Sequence, residues 1–459
     1  MEKLKKILLK INQIIFLVFV ACIPLTYFEW GSERSYTFVL PFFVSLLGFL
    51  PCLTYVLVFK KRLLFNNEIL MLVIFLLYVF FNSVLSSFLI KKEVALYYGV
   101  NPTIVALKES IYIMHAIALG FYSFVELKIA SKKSIALSFF VGFSIFLFFG
   151  LIQLFFLCGA TFLAKVINFF NFLKISRNSD YFLTYGRICA SAPESAHMTQ
   201  LIFCFFVPVS LMLLTSNPSK KTKVIIILFL SMLIPISLFA ISTELIGTLT
   251  FVSAAIVCWV LFSLAKKKKW VWFAIILIGF GLCLALFSLS TYFQKVVWNK
   301  LFGTNAYSAQ KRLSHVYNAF IVFLKNPGFG VGSGMAGFSY NTIISDTWFM
   351  NSYEVRTLIT GSQSGVPTAA PFFFYFLCSY GIFGTTLFGK AVYSAIASYY
   401  KNLTSKQIKV MILGLLSFAF IGLFTENIIA NYYIGFLLSL PVAFSTKKHF
   451  QINYTVLKI

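Results

Sequence analysis

The arginines of this chain lie at positions where their side chains could bind anions. The chain has six arginines among 459 residues, and lysine supplies most of its positive charge. A guanidinium group holds a diphosphate or a carboxylate through two parallel hydrogen bonds, a geometry that an ammonium group lacks. We therefore take four arginines as candidates for binding a diphosphate: Arg177, Arg187, Arg312 and Arg356. The alternative is that they lie in solvated loops or pair with nearby carboxylates.

Two carboxylates are candidate general bases. Glu194 belongs to the stretch GRICASAPESAHM and Glu244 to the stretch ISTELIGTL, each at the end of a strongly apolar run. An ionisable side chain at membrane depth is costly and is commonly functional, and a positioned carboxylate can take a proton from a sugar hydroxyl. Helix capping and pairing with arginine are the alternative roles.

A histidine accompanies one of the arginines. In KRLSHVYNAF, Arg312 and His315 are three residues apart, so one face of a helix would carry both side chains. An arginine that binds a diphosphate beside a histidine that moves a proton would suit glycosyl transfer. His315 is therefore a third catalytic candidate, with packing in the interior as the alternative.

The stretch FLKNPGFGVGSG interrupts the apolar pattern with a proline and four glycines. No strand pattern precedes it and no Gly-Lys-Ser/Thr follows it, which disfavours a nucleotide-binding loop. Asn326 and Pro327 predict the end of a helix, and Gly330 and Gly332 permit positive φ angles after it. We expect these four residues to form the hinge of a loop that closes over a site.

The elements that position these residues are membrane helices. The chain is 60% hydrophobic and 11% charged, with a mean hydropathy of +0.90, which predicts an all-α, polytopic integral membrane protein. Apolar runs of about 20 residues can cross the bilayer as helices. About twelve such runs are present, at roughly 8–28, 36–59, 69–90, 104–125, 134–160, 196–215, 223–242, 245–265, 270–290, 369–398, 410–429 and 431–445.

The charge pattern predicts the orientation of these helices. The net charge of +25 comes from lysine clusters that fall in every second connecting segment, beginning with the N-terminus. The positive-inside rule places these clusters in the cytoplasm, so we expect both termini there and no nucleic-acid partner. The predicted units are membrane helices one to nine (1–290), a large extracytoplasmic loop (291–368), and helices ten to twelve with a cytoplasmic tail (369–459).

Four segments together resemble a known family. RLSHVYNAFIVFLKNPGFGVGSGMAGF resembles the segment of bacterial O-antigen and capsular polysaccharide polymerases, and of their O-antigen ligase relatives, in which an arginine precedes an amphipathic helix and Asn-Pro-x-x-Gly-x-Gly. SYGIFGTTLFG resembles the Gly-Ile-x-Gly helix of the same superfamily. GRICASAPESAHM and ISTELIGTLTF are similar to two further segments of it. The four segments occur in the order found in that superfamily.

The resemblance implies a membrane glycosyltransferase without a metal or another cofactor. Such an enzyme polymerises undecaprenyl-diphosphate-linked oligosaccharide repeat units into O-antigen or capsular polysaccharide, at the outer face of the bacterial cytoplasmic (inner) membrane. The arginines would then bind the lipid-linked diphosphate, and Glu194, Glu244 or His315 would serve the acceptor hydroxyl. A flippase and a chain-length regulator are the partners that the resemblance implies.

Two other functions stay open. One is a ligase of the O-antigen ligase type, although Ala370 and Pro371 stand where many relatives carry His-Asn, which leaves the identity of the base open. The other is a transporter or flippase for lipid-linked oligosaccharide. A transporter is expected to show internal repeats and broken helices with charges near the midplane, and the sequence shows no repeat.

Overall fold

The protein is described by a computed structural model that covers residues 2–25, 40–59, 67–172, 188–192, 195–216, 218–238, 307–345, 347–359, 372–421 and 432–444. These ranges fold into helices and turns, and no strand occurs among them. The all-α prediction is therefore confirmed for the described part of the chain.

Ten helices are described in the first half. They are α1 (Glu2–Cys22), α2 (Leu40–Phe59), α3 (Asn67–Ser87), α4 (Lys92–Tyr98), α5 (Pro102–Ile129), α6 (Lys132–Leu157), α7 (Ala164–Phe172), α8 (Ser195–Leu201), α9 (Val207–Thr215) and α10 (Lys220–Leu238). A π-helical turn, Ile202–Phe206, joins α8 to α9, so the two run on as one helix. A π turn of this kind inserts one extra residue and disturbs the regular hydrogen bonding locally.

Six helices are described in the second half. They are α11 (Tyr307–Lys325), α12 (Tyr340–Ile344), α13 (Tyr353–Ile359), α14 (Phe372–Tyr400), α15 (Ser405–Ile421) and α16 (Tyr432–Phe444). Short 3-10 turns cover Met335–Ser339 and Trp348–Asn351. The predicted spans 245–265 and 270–290 lie outside the described residues.

Within the described ranges, four helical stretches are long and apolar enough to cross a membrane: Leu70–Ser87, Pro102–Ile129, Lys132–Leu157 and His197–Thr215. Phe43–Phe59 and Gly435–Phe444 are apolar but shorter. Many large apolar side chains on these helices face outward, among them Leu85 and Leu137, which a lipid environment accommodates without cost. The helices are those of a membrane protein.

The larger core packs α5, α6 and the α8–α10 stretch against the first two helices and the last two. Its aromatic side chains interlock, for example Phe143 and Phe206, whose rings stack with centroids 4.3 Å apart. Where α5 crosses α16, Gly120 and Gly435 meet without side chains between them, because a Cβ added at Gly435 would lie 2.6 Å from Gly120 Cα. Small residues at such crossings allow two membrane helices to approach closely.

A second core joins α3, α5, α11 and α14. Phe75 of α3, Ile113 of α5, Ala319 of α11 and Phe376 of α14 are all buried in it. The rings of Phe75 and Phe376 are nearly parallel, with centroids 6.1 Å apart. In this core α11, the helix of Arg312 and His315, packs against α14.

The connection between the end of α3 and the start of α5 is covered by a small layer of residues. The connecting helix α4 packs its Tyr98 ring edge-on against Phe338 at 5.8 Å. Tyr98 Oη accepts a hydrogen bond from the backbone N–H of Asn341 (3.1 Å). Burial raises the pKa of Tyr98 above its ordinary value, so the phenol stays neutral. The turn Met335–Ser339 thus packs on α4 and α11, and α12 and α13 pack on α11.

Candidate functional site

The helix α11 buries a polar face. Gln310, Ser314, His315 and Asn318 are each no more than 3% exposed, and their spacing puts them on one side of the helix. Asn318 Nδ2 donates to the carbonyl of Ala336 (2.9 Å), and the hydroxyl of Ser314 shares a hydrogen bond with that of Tyr340. Because buried polar groups need such partners, this face fixes residues 335–340 on α11.

Arg312 and His315 lie at the edge of that face. His315 is 3% exposed, and its ring centroid lies 5.2 Å from that of Tyr340. Arg312 is half-buried, so part of its guanidinium side chain stays accessible. The two residues share one side of α11, and their roles in diphosphate binding and proton transfer stay predictions.

The glycine segment, Asn326 to Gly334, begins where α11 ends at Lys325. It forms backbone hydrogen bonds with α14 in both directions. The N–H groups of Val331 and Gly332 donate to the carbonyls of Cys378 and Ser379 (2.9 and 2.8 Å). In return, Ile382 and Phe383 donate to the carbonyls of residues 327 and 328 (2.8 and 3.1 Å). We call this paired region the junction.

The junction exists because α14 is broken at Gly381. Its φ and ψ of 61° and −169° lie in a region that is open essentially only to glycine. A Cβ added there would lie 2.2 Å from the carbonyl oxygen of Gly328. The break leaves carbonyl and N–H groups of α14 without helical partners, and the glycine segment supplies partners for both kinds.

Side chains of α3 complete the junction. Tyr78 Oη lies 2.5 Å from the carbonyl oxygen of Phe329 and 2.9 Å from that of Tyr380, and donates its proton to this pair. Asn82 Nδ2 donates to the carbonyls of Phe329 and Ser379 (3.1 and 3.0 Å). Thus α3 holds both partners of the junction at once.

The four predicted hinge residues all lie in the glycine segment. Asn326 and Pro327 follow the last residue of α11, and both are exposed. Gly330 and Gly332 have positive φ angles of 69° and 84°. A closing motion about these residues would have to break hydrogen bonds of the junction, so the segment also acts as an anchor. The hinge role itself stays a prediction.

A carboxylate that the sequence analysis did not select borders the same region. Glu109 of α5 is surrounded largely by protein, yet part of its side chain stays accessible. Its stem fills the space beside Gly334, since a Cβ added there would lie 2.9 Å from Glu109 Cγ. Its carboxyl group lies close to the buried hydroxyl of Tyr375, which has no hydrogen bond of ordinary geometry to another described residue. A charged residue inside an apolar run was the signal that could have found it.

Two phenol groups of α14 lie near this carboxylate. The hydroxyl groups of Tyr375 and Tyr380 on α14 are both near enough to the Glu109 carboxylate to interact with it electrostatically. Tyr380 Oη shares a hydrogen bond with Ser333 Oγ (2.6 Å), and Ser333 N donates to Ser83 Oγ (2.8 Å). Residues 333–340 therefore lie between Glu109 on α5 and the polar face of α11. The arrangement puts a carboxylate and a guanidinium group on two helices that flank one segment.

A second buried polar feature lies at the end of α6. Gln153 Oε1 accepts from the N–H groups of Cys189 and Ala190 (3.0 and 2.9 Å), and its Nε2 donates to the carbonyl of Ala190 (3.2 Å). Ser191 Oγ donates to the carbonyl of Pro24 (2.6 Å). Residues 188–192, which we call the buried turn, are therefore tied to α6 and to the end of α1.

The remaining predicted site residues divide into two groups. Arg356 lies on α13, which packs on α11, and its side chain is exposed. Arg187 and Glu194 flank the buried turn, and they lie outside the described residues together with Arg177 and Glu244. Among the described residues, no group of three or more His, Cys, Asp or Glu side chains could hold a metal ion.

No protein-family model matches this chain, and no curated protein sequence matches it significantly.

Proposed function

We propose that the chain is a membrane glycosyltransferase that polymerises undecaprenyl-diphosphate-linked oligosaccharide repeat units. The product would be O-antigen or capsular polysaccharide, made at the outer face of the bacterial cytoplasmic membrane. The proposal includes about twelve spans, cytoplasmic termini and a large extracytoplasmic loop over 291–368. A lipid-linked diphosphate is already an activated leaving group, so the enzyme has chiefly to orient two substrates and balance the departing charge.

The observation that carries the proposal is the junction. The Asn-Pro-x-x-Gly-x-Gly segment and the Gly-Ile-x-Gly segment are the two stretches on which the family resemblance chiefly rests. They are far apart in the chain, yet they meet through four backbone hydrogen bonds, from Val331 and Gly332 in one direction and from Ile382 and Phe383 in the other. Two segments that matched the family only by chance would not be expected to contact each other, so their pairing supports the resemblance.

The placement of Arg312 also supports the proposal. It is half-buried on the helix that leads directly into the junction. A guanidinium group held there by a packed helix would lose little conformational freedom on binding a diphosphate. Arg187, Arg177 and Arg356 are further candidates for the same group.

The break in α14 also fits a transporter, because discontinuous helices commonly form substrate sites in transporters. In this protein, however, the backbone groups on either side of Gly381 that lack helical partners form hydrogen bonds with the glycine segment. They do not line an open cavity. That use of the break favours a structural role for it.

The test is the surface glycan of a strain that lacks the gene. We expect single repeat units in place of a ladder of long chains, and the wild-type gene should restore the ladder. Arg312→Ala should fail to restore it while the protein stays in the membrane. Lys325→Ala is the matched control, since it removes an exposed positive charge from the other end of α11.

Other outcomes would identify the alternatives. Long chains that stay on the lipid carrier and are not transferred would indicate a ligase. An unchanged ladder in the deletion strain would rule out both glycosyl-transfer functions. Single repeat units held at the cytoplasmic leaflet would indicate a transporter.

A further inference from the structure

Glu109 is a carboxylate of the described residues whose surroundings suit proton transfer beside the junction. It lies on the first turns of α5, and Gly334 leaves room for its stem. One side of the side chain is packed against protein while another side stays accessible. A general base needs both conditions, because it has to be fixed in place and yet reach a substrate hydroxyl.

The charged and titratable groups near Glu109 are one cation and two phenols. Those that act on it electrostatically are Lys108, its neighbour in the chain, and the phenols of Tyr375 and Tyr380. A carboxylate committed to a structural ion pair would have a cation in contact with it. Among the described residues, none of the hydrogen bonds or ion pairs of ordinary geometry joins Glu109 to a cation.

We propose that Glu109 is the general base that activates the acceptor sugar hydroxyl in this glycosyl transfer. The inference rests on the proposed function and adds to it the residue that takes the proton. Tyr375 acts through Glu109 as a positioning residue, since its buried hydroxyl lies beside the carboxyl group.

The step balances as a displacement at the donor sugar. The acceptor O–H bond breaks, and its proton passes to a carboxylate oxygen of Glu109. The acceptor oxygen forms the new glycosidic bond to C1 of the donor sugar. The bond from C1 to the diphosphate oxygen breaks, and its electron pair leaves with the polyprenyl diphosphate, whose negative charge Arg312 balances. Glu109 then releases the proton to water.

The experiment uses the purified full-length chain in detergent. The substrate is the total lipid-linked saccharide extracted from the deletion strain, and the readout is the growth of the glycan ladder as a function of pH. We expect Glu109→Gln to lower the maximal rate by at least about 100-fold, with little change in the apparent KM. We also expect the acid limb of the wild-type pH profile to be absent from the residual activity.

The matched control is Glu126→Gln. Glu126 is a buried carboxyl residue of the same helix, near the other end of α5 and close to Cys52. It should behave like the wild type in rate and in pH profile. Tyr375→Phe keeps the ring in the core and removes only the hydroxyl, so it should lower the rate less and shift the acid limb.

The outcomes separate this inference from the proposed function. If the wild-type chain makes no ladder from this substrate, the proposed function fails. If the wild type is active and Glu109→Gln keeps more than about a third of its rate, or keeps the same acid limb, the assignment of Glu109 is wrong. Should Glu109→Gln fail to fold, an unchanged pH profile in Tyr375→Phe would overturn the assignment instead.

Discussion

The backbone N–H of Gly332 donates a hydrogen bond to the carbonyl of Ser379 at 2.8 Å. This bond joins the glycine segment, which follows α11, to α14. The carbonyl of Ser379 belongs to the last residues before the break at Gly381. In an unbroken helix it would bond to the fourth residue after it. The glycine segment thus replaces helical hydrogen-bond partners that α14 loses at the break.

Gly381→Ala should destabilise the protein. The φ of 61° is unfavourable for alanine, and its Cβ would lie 2.2 Å from the carbonyl oxygen of Gly328. We expect a loss of at least about 2 kcal/mol in the free energy of unfolding, measured by SDS titration in mixed micelles. Gly389→Ala in the same helix is the control, because nothing lies within 4 Å of an added Cβ there. It should be neutral or slightly stabilising, and equal losses at both sites would contradict the role given to the break.

The effects of Tyr78→Phe and Asn82→Leu on the free energy of unfolding should be non-additive. Both side chains contact the carbonyl oxygen of Phe329, so either one alone can still serve it. Removal of both leaves that carbonyl without a side-chain donor. The double variant should therefore lose about 1 kcal/mol more than the sum of the single losses. Simple additivity in this double-mutant cycle would argue against a shared acceptor, and Tyr393→Phe, an exposed tyrosine of α14, gives the baseline.

Gln153→Leu should release the buried turn. It removes three hydrogen bonds to residues 189 and 190, worth about 2–4 kcal/mol in total. Ala190→Gly is the comparison, since Ala190 has a φ of 51° and glycine accepts that angle without strain. We expect Ala190→Gly to leave the free energy of unfolding within about 0.5 kcal/mol of the wild type. If Gln153→Leu were equally harmless, the buried turn would owe its position to other contacts.

Arg312→Lys should distinguish the effect of the positive charge at this position from the effect of the planar guanidinium group. Lysine keeps the positive charge but lacks the planar fork that binds a diphosphate through two parallel hydrogen bonds. We expect the polymerisation rate to fall at least about tenfold, equivalent to ~1.4 kcal/mol. The exposed Arg356, changed to lysine in the same way, should lose less, because its side chain is less confined. Full activity of Arg312→Lys would mean that only its charge matters.

The sequence determined the features that depend on local chemistry. Its apolar runs specify membrane helices, because unpaired backbone groups are too costly in lipid. Asn326 and Pro327 mark the end of α11, since a proline within the helix would clash with the preceding turn. The spacing of Arg312 and His315 likewise places them on one side of a helix. Hydropathy, proline stops and helical spacing need no knowledge of distant residues.

Only the tertiary structure decided how these elements meet. Nothing in the local sequence says that the glycine segment bonds to α14 at Gly381, because backbone hydrogen bonds form between groups that carry no side-chain signature. The same holds for Gln153, which looks like an isolated polar residue of an apolar helix until the buried turn is folded against it. Glu109 was visible as a charge inside an apolar run, but its closeness to Gly334 and Tyr375 depends on how α5, α14 and the glycine segment pack.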